Sequence, residues 1–105
     1  SEVFLLETLR RVGAGSITAT ANVNVAAIRK TFERWQKGDA NKLQKEINSV
    51  RKAFEEYPLI PSLKAVTAKF YGSSDWCRVS PPLRGLSVTD TEELTKSLTN
   101  LGFKM

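Results

Sequence analysis

The chain holds nine lysines, two tyrosines, one cysteine and no histidine, and that inventory bounds its chemistry. Without histidine, no Ser–His–Asp or Cys–His relay can be assembled from these residues. A single cysteine and no histidine nearly exclude a zinc site, so no metal is expected. Cys77 has no histidine near it in sequence to take its proton, and it reads as an inert thiol. A lysine attacks a carbonyl when a dry pocket holds it poised beside a proton relay. Lys30, Lys37, Lys42, Lys45, Lys52, Lys64, Lys69, Lys96 and Lys104 all fall in polar helical, turn or tail contexts, and none has the surroundings of such a pocket.

The chain has 105 residues, 41% of them apolar and 26% charged, the composition of a globular domain. Sixteen basic against 11 acidic residues give a net charge of +5. The distribution argues against a nucleic-acid surface. Only Arg10-Arg11, Arg29-Lys30 and Arg51-Lys52 are adjacent basic pairs, with Glu7, Glu33, Glu46, Glu55 and Glu56 close by. No nucleic-acid partner is expected. No apolar run approaches the roughly 18 residues of a membrane span, so no membrane partner is expected either. No charged-then-apolar leader is visible. Together with the single cysteine, this suggests a cytoplasmic setting. The chain starts at Ser1 rather than Met, which suggests processing or a piece of something longer.

The elements that would position any site read as mostly helical. Residues 2–12 predict a short helix stopped by Gly13 and Gly15. Residues 15–23, GSITATANV, are uncharged and rich in small and β-branched side chains, and predict a buried strand over 15–21. Asn22 and Asn24 offer caps to a helix over about 25–37, with Val25, Ile28, Phe32 and Trp35 on one face. A third helix, about 40–57, places Leu43, Ile47, Val50, Phe54 and Tyr57 on one stripe and ends at Pro58. Pro61 starts another, lined by Leu63, Val66 and Phe70, that runs to Gly72. Residues 73–88 are irregular. A last helix starts near Thr89 or Asp90, with Leu94, Leu98 and Leu101 inward. The 15–21 strand has no partner in the chain, since WCRVS at 76–80 is cut short by Pro81-Pro82. A buried unpaired strand costs about 1–3 kcal/mol for each orphaned backbone group. Helix, strand, helix and then an all-helical tail predict the C-terminal part of a larger α/β protein.

At GAGSITATANVN the sequence resembles the dihydrodipicolinate synthase/N-acetylneuraminate lyase family of Schiff-base aldolases, whose barrel strand eight carries a Gly-x-Ile-Ser-x-Thr-Ala-Asn-Val type segment. Three further pieces agree in order. Ser1-Glu2-Val3-Phe4 is similar to the residues after the family's strand seven. Ser62-Leu63-Lys64-Ala65 is similar to a helix start in its C-terminal domain. Arg78-Val79-Ser80-Pro81-Pro82-Leu83 is similar to the turn before its last helix.

The resemblance implies an α/β fold: the end of a (β/α)₈ TIM barrel over residues 1–37 (helix seven, strand eight, helix eight), followed by an all-helical C-terminal domain over 38–105. A barrel needs about 250 residues, so the remaining N-terminal barrel portion becomes an expected partner. The family's lysine condenses with the ketone of pyruvate, and the imine lets a carbon–carbon bond form or break. That lysine, the tyrosine that relays protons and the loop that holds the carboxylate all lie upstream of Ser1 by this alignment. Neither Tyr57 nor Tyr71 matches the relay tyrosine, and no catalytic residue is expected within the chain. Two substrate-binding positions carry over. Ile17 matches the residue whose backbone lies against pyruvate, or else is only barrel core. Glu2 matches a position that touches the distal part of the substrate in some members, or else is a favourable charge at a helix N-terminus. Ala19 stands where sialic-acid lyases carry Ser, and Ser1 where they carry an acid; both count against sialic acid. Pyruvate and an aldehyde are the implied substrates, with no metal or organic cofactor and a homo-tetrameric state. The alternatives are a 2-keto-3-deoxy sugar acid aldolase or sialate-type lyase, and a non-catalytic helical interaction module.

Overall fold

The computed structural model describes all of residues 1–105. Five α-helices account for its regular structure: α1 Leu5–Arg10, α2 Ala21–Glu33, α3 Ala40–Glu55, α4 Leu59–Tyr71 and α5 Val88–Asn100, with 3-10 turns at Glu2–Phe4 and Ser74–Cys77. There is no strand and no sheet. The expected α/β class, and with it the (β/α)₈ TIM-barrel end carrying a strand over 15–21, is therefore corrected to an all-helical fold. A strand persists only where its backbone groups find a partner backbone. Residues 13–18 have no regular structure, and 19–20 turn straight into α2. Thr18 and Thr20 serve a side-chain cluster instead of a ladder, and Ile17 faces solvent.

Packing divides the chain into two compact units, Ser1–Arg51 and Lys52–Met105. The expected boundary at 37/38 rests on the family resemblance, not on packing within these residues.

In the first unit, Leu5, Leu9 and Ile47 form a buried cluster, with Ala27, Ile28, Phe32 and Trp35 partly buried against it. The α1 helix ends in a Schellman motif: the Gly13 N–H reaches Thr8 O at 2.8 Å and the Val12 N–H reaches Leu9 O at 3.1 Å. The left-handed residue of that motif is Val12 (φ 67°), not the glycine the sequence suggested. Gly13 is required for another reason. A Cβ there would run into the Thr8 side chain and lie 2.8 Å from its carbonyl oxygen. The α2 helix begins four residues before its expected start, so Asn22 and Asn24 lie inside it. Asn22 still bonds back to Ala19 O at 2.8 Å, whereas Asn24 sits at a kink (φ −126°, ψ 32°).

In the second unit, α4 packs on the 74–77 turn and on α5. Pro58 caps α4, which begins at Leu59 and thus ahead of Pro61, a residue tolerated in the first turn because no N–H is needed there. Gly72 ends it in the left-handed conformation (φ 65°), as expected. Ser87 caps α5, its Oγ accepting from Asp90 N at 3.1 Å. Beyond Gly102 (φ 71°) the chain turns back, and the Phe103 ring meets Phe54 edge-on at 6.1 Å. Phe54, Leu63, Val66, Leu94 and Leu98 are buried as expected, but Phe70, Val25 and Leu101 are exposed. No helix is long and apolar enough to cross a membrane.

Candidate functional site

Polar side chains converge most densely around Glu2. The Glu2–Phe4 turn is capped by Ser1, whose Oγ accepts from Val3 N at 3.3 Å. This turn carries the Glu2 side chain inward, to complete burial at 0% exposure. Its Oε1 accepts from the Thr20 hydroxyl and its Oε2 from the Thr18 hydroxyl. Ser1 Oγ lies 3.3 Å from Oε2. Arg51, on α3 and only 13% exposed in its side chain, places Nη1 3.5 Å from Glu2 Oε2 and 3.4 Å from Thr18 Oγ1. One carboxylate thus joins the chain start, the loop before α2 and helix α3.

Burial pushes the Glu2 carboxyl up. The Thr18 and Thr20 hydroxyls, its own backbone and the Arg51 guanidinium outweigh that and hold it below its ordinary value of 4.5. The unfolded chain therefore binds a proton more readily than the folded one. Glu2 adds stability that is fully present above about pH 4.5 and is lost as pH falls through the lowered folded value. Asp39 is also lowered, first by its hydrogen bond with Arg34 (2.8 and 2.9 Å to Nε), so acid destabilisation has more than one source. We expect melting temperatures followed from pH 7 to pH 3 to fall less steeply for Glu2→Gln than for the parent below pH 4.5. Parallel curves would remove Glu2 as a contributor.

A residue without any chemical signature supports the cluster from behind. Gln44 on α3 donates through Nε2 to Glu2 O at 2.9 Å, and its Oε1 accepts from Leu6 N at 2.9 Å. A second acceptor of Nε2, Asn48 Oδ1 at 2.8 Å, fixes the amide's orientation. Sequence reasoning passed over Gln44, Thr18, Thr20 and Arg51. The only available signal was a Gln and an Arg seven residues apart on one helix, flanking its apolar stripe.

Of the two substrate positions that the family resemblance suggested, Glu2 is enclosed and Ile17 is 100% exposed. They lie on opposite sides of the loop: Thr18 and Thr20 turn toward Glu2 and Ile17 turns to solvent. The N–H groups of residues 14–18 donate to no backbone acceptor. Beside the loop runs an open groove of about 280 Å³, lined by Leu5, Ala14, Gly15, Val25, Ile28 and Phe32. Arg29 at its rim pairs with Glu33 at 2.8 Å and lies over Phe32, and the Ser16 hydroxyl, which also lines the groove, has no carboxylate, lysine or histidine among the lining residues to activate it. Eight of the nine lysines are exposed and Lys64 is half-buried, so none lies in a dry pocket. Tyr57 donates to Glu93 Oε2 at 3.1 Å; burial first, then that carboxylate, raises its pKa. Asn24 is 5% exposed with its Nδ2 unpartnered, a buried donor beside the turn that carries Thr20.

No family model and no curated protein matches this chain.

Proposed function

We propose that the chain is part of a pyruvate-dependent lyase or synthase of the dihydrodipicolinate synthase type. It would form or cleave a carbon–carbon bond through a lysine–pyruvate imine, with the lysine and the proton-relay tyrosine outside residues 1–105. The observation that carries this is the run Gly13–Asn24, in which Gly15, Ile17, Thr20, Ala21, Asn22 and Val23 all match the family segment. One feature of the molecule is in keeping with it: the uncharged loop displays Ile17 outward, where another surface can meet it. On this reading the imine-forming amine lies outside residues 1–105, because the lysines here are solvated. Ala19 offers no hydroxyl to a sugar acid, which favours pyruvate with a simpler aldehyde over sialic acid. The chemistry calls for no metal or organic cofactor. A homo-tetramer in the cytoplasm goes with the same reading.

One observation favours a second function, a non-catalytic helical interaction module. The fold is helical throughout, and its second unit exposes Phe70, Tyr71 and Trp76, with Tyr71 and Trp76 stacked at 5.6 Å.

Borohydride trapping with pyruvate, followed by peptide mapping, separates the two. In the polypeptide that contains this chain, the expected adduct falls on a lysine outside residues 1–105. A stoichiometric adduct on any of the nine lysines would overturn the placement of the catalytic amine. No adduct in the intact, folded protein would remove the imine mechanism and leave the interaction module.

A further inference from the structure

The loop over residues 13–18 has no backbone ladder, yet Thr18 next to Ile17 and Thr20 in the turn that follows are held by their side chains. That arrangement needs a cause other than backbone pairing. Between Gly13 and Thr20 only Thr18 and Thr20 have side chains that bond across to another element, and both bond to Glu2. Thr18 also accepts from Arg51 at 3.4 Å, which ties the loop to α3. The backbone consequence is visible one step on. Thr18 O and Thr20 O accept the first amides of α2: Ala21 N at 3.2 Å, Val23 N at 3.0 Å and Asn24 N at 2.8 Å. Thr20 stands at the N-cap of α2 without making a capping bond, because its hydroxyl is committed to Glu2.

We propose that Glu2, Thr18, Thr20 and Arg51 form a latch that fixes the loop with Ile17 outward. Thr18, Thr20 and Arg51 are then positioning residues for the Ile17 surface, acting through the Glu2 carboxylate, and Glu2 serves the loop rather than the substrate. That Ile17 meets pyruvate rests on the aldolase reading above; the latch itself does not.

The hydroxyls are the testable atoms, because valine keeps the shape of threonine and removes the donor. Hydrogen exchange of the 105-residue chain reads the latch at the amides of Ala21, Val23 and Asn24, which donate to the Thr18 and Thr20 carbonyls. In Thr20→Val those amides should exchange at least about tenfold faster, the effect of one lost hydrogen bond to a charged group. In Thr20→Ser, which keeps the hydroxyl, they should exchange at the parent rate. A merely steric role for Thr20 predicts the opposite order, with valine tolerated and serine loosened, and would overturn the proposal. Should Thr20→Val not fold, Thr18→Val and Thr18→Ser make the same comparison at the half-buried end of the latch, and equal exchange in those two would sink it. In the parent enzyme, Thr20→Val should raise KM for pyruvate while Thr20→Ser leaves it unchanged. Altered exchange without altered KM would keep the latch and reject the link between Ile17 and pyruvate. Altered KM without altered exchange would reject the latch and leave the aldolase reading standing.

Discussion

Phe54→Ala is expected to destabilise the protein by about 3–5 kcal/mol, the range for truncating a fully buried aromatic ring. Phe54 is 0% exposed and is the largest of the completely buried side chains. Truncation removes its transfer free energy and also leaves a cavity that the neighbouring helix backbones cannot collapse to fill. It further takes away the edge-to-face partner of Phe103, which closes the chain end after Gly102. At the scale of a domain this size, the melting temperature should drop by at least about 10 °C. Phe70→Ala is the internal comparison. Phe70 shares a helical apolar stripe by sequence but is 56% exposed, so its loss should cost about 1 kcal/mol or less. Equal melting temperatures for the two variants would refute the core assignment of Phe54.

Gln44→Leu should cost about 1–3 kcal/mol, although it exchanges one side chain for another of similar size. The α1 helix has six residues, too few to persist by itself, so it depends on what it packs against. Gln44 satisfies the Leu6 N–H in its first turn and the Glu2 carbonyl before it. Leucine fills the space but leaves the Leu6 N–H buried without a partner, while the Glu2 carbonyl keeps only the Leu5 N–H. The Leu6 amide should therefore lose its exchange protection in step with the drop in stability measured by urea unfolding. A variant as stable as the parent, with Leu6 still protected, would show that α1 is held by Leu5 and Leu9 packing alone.

The helices after residue 25 were legible in the sequence because their cause is local. Apolar residues at three- and four-residue spacing bury one stripe whatever the partner is, so Ile47, Val50, Phe54, Leu63, Val66, Leu94 and Leu98 could be assigned to the core. Gly72 and Pro58 stop their helices for backbone reasons that no tertiary contact overrides. Spacing alone could not say which apolar positions lacked a covering partner, and so Phe70, Val25 and Leu101 came out exposed. The run GSITATANV marked the limit of this approach. Its composition has the β-branched character of a strand, but a strand is a relation between two backbones, and composition describes only one of them. Tertiary structure decided the outcome. A buried carboxylate sixteen and eighteen residues upstream takes the hydroxyls of Thr18 and Thr20, and a turn at Ala19–Thr20 feeds the chain into α2. Glu2 itself stood out in the sequence through the family resemblance, but its role could not be read there. Whether a carboxylate faces solvent or is enclosed by two hydroxyls and a guanidinium depends on residues up to position 51, brought together only when α3 folds against the chain start.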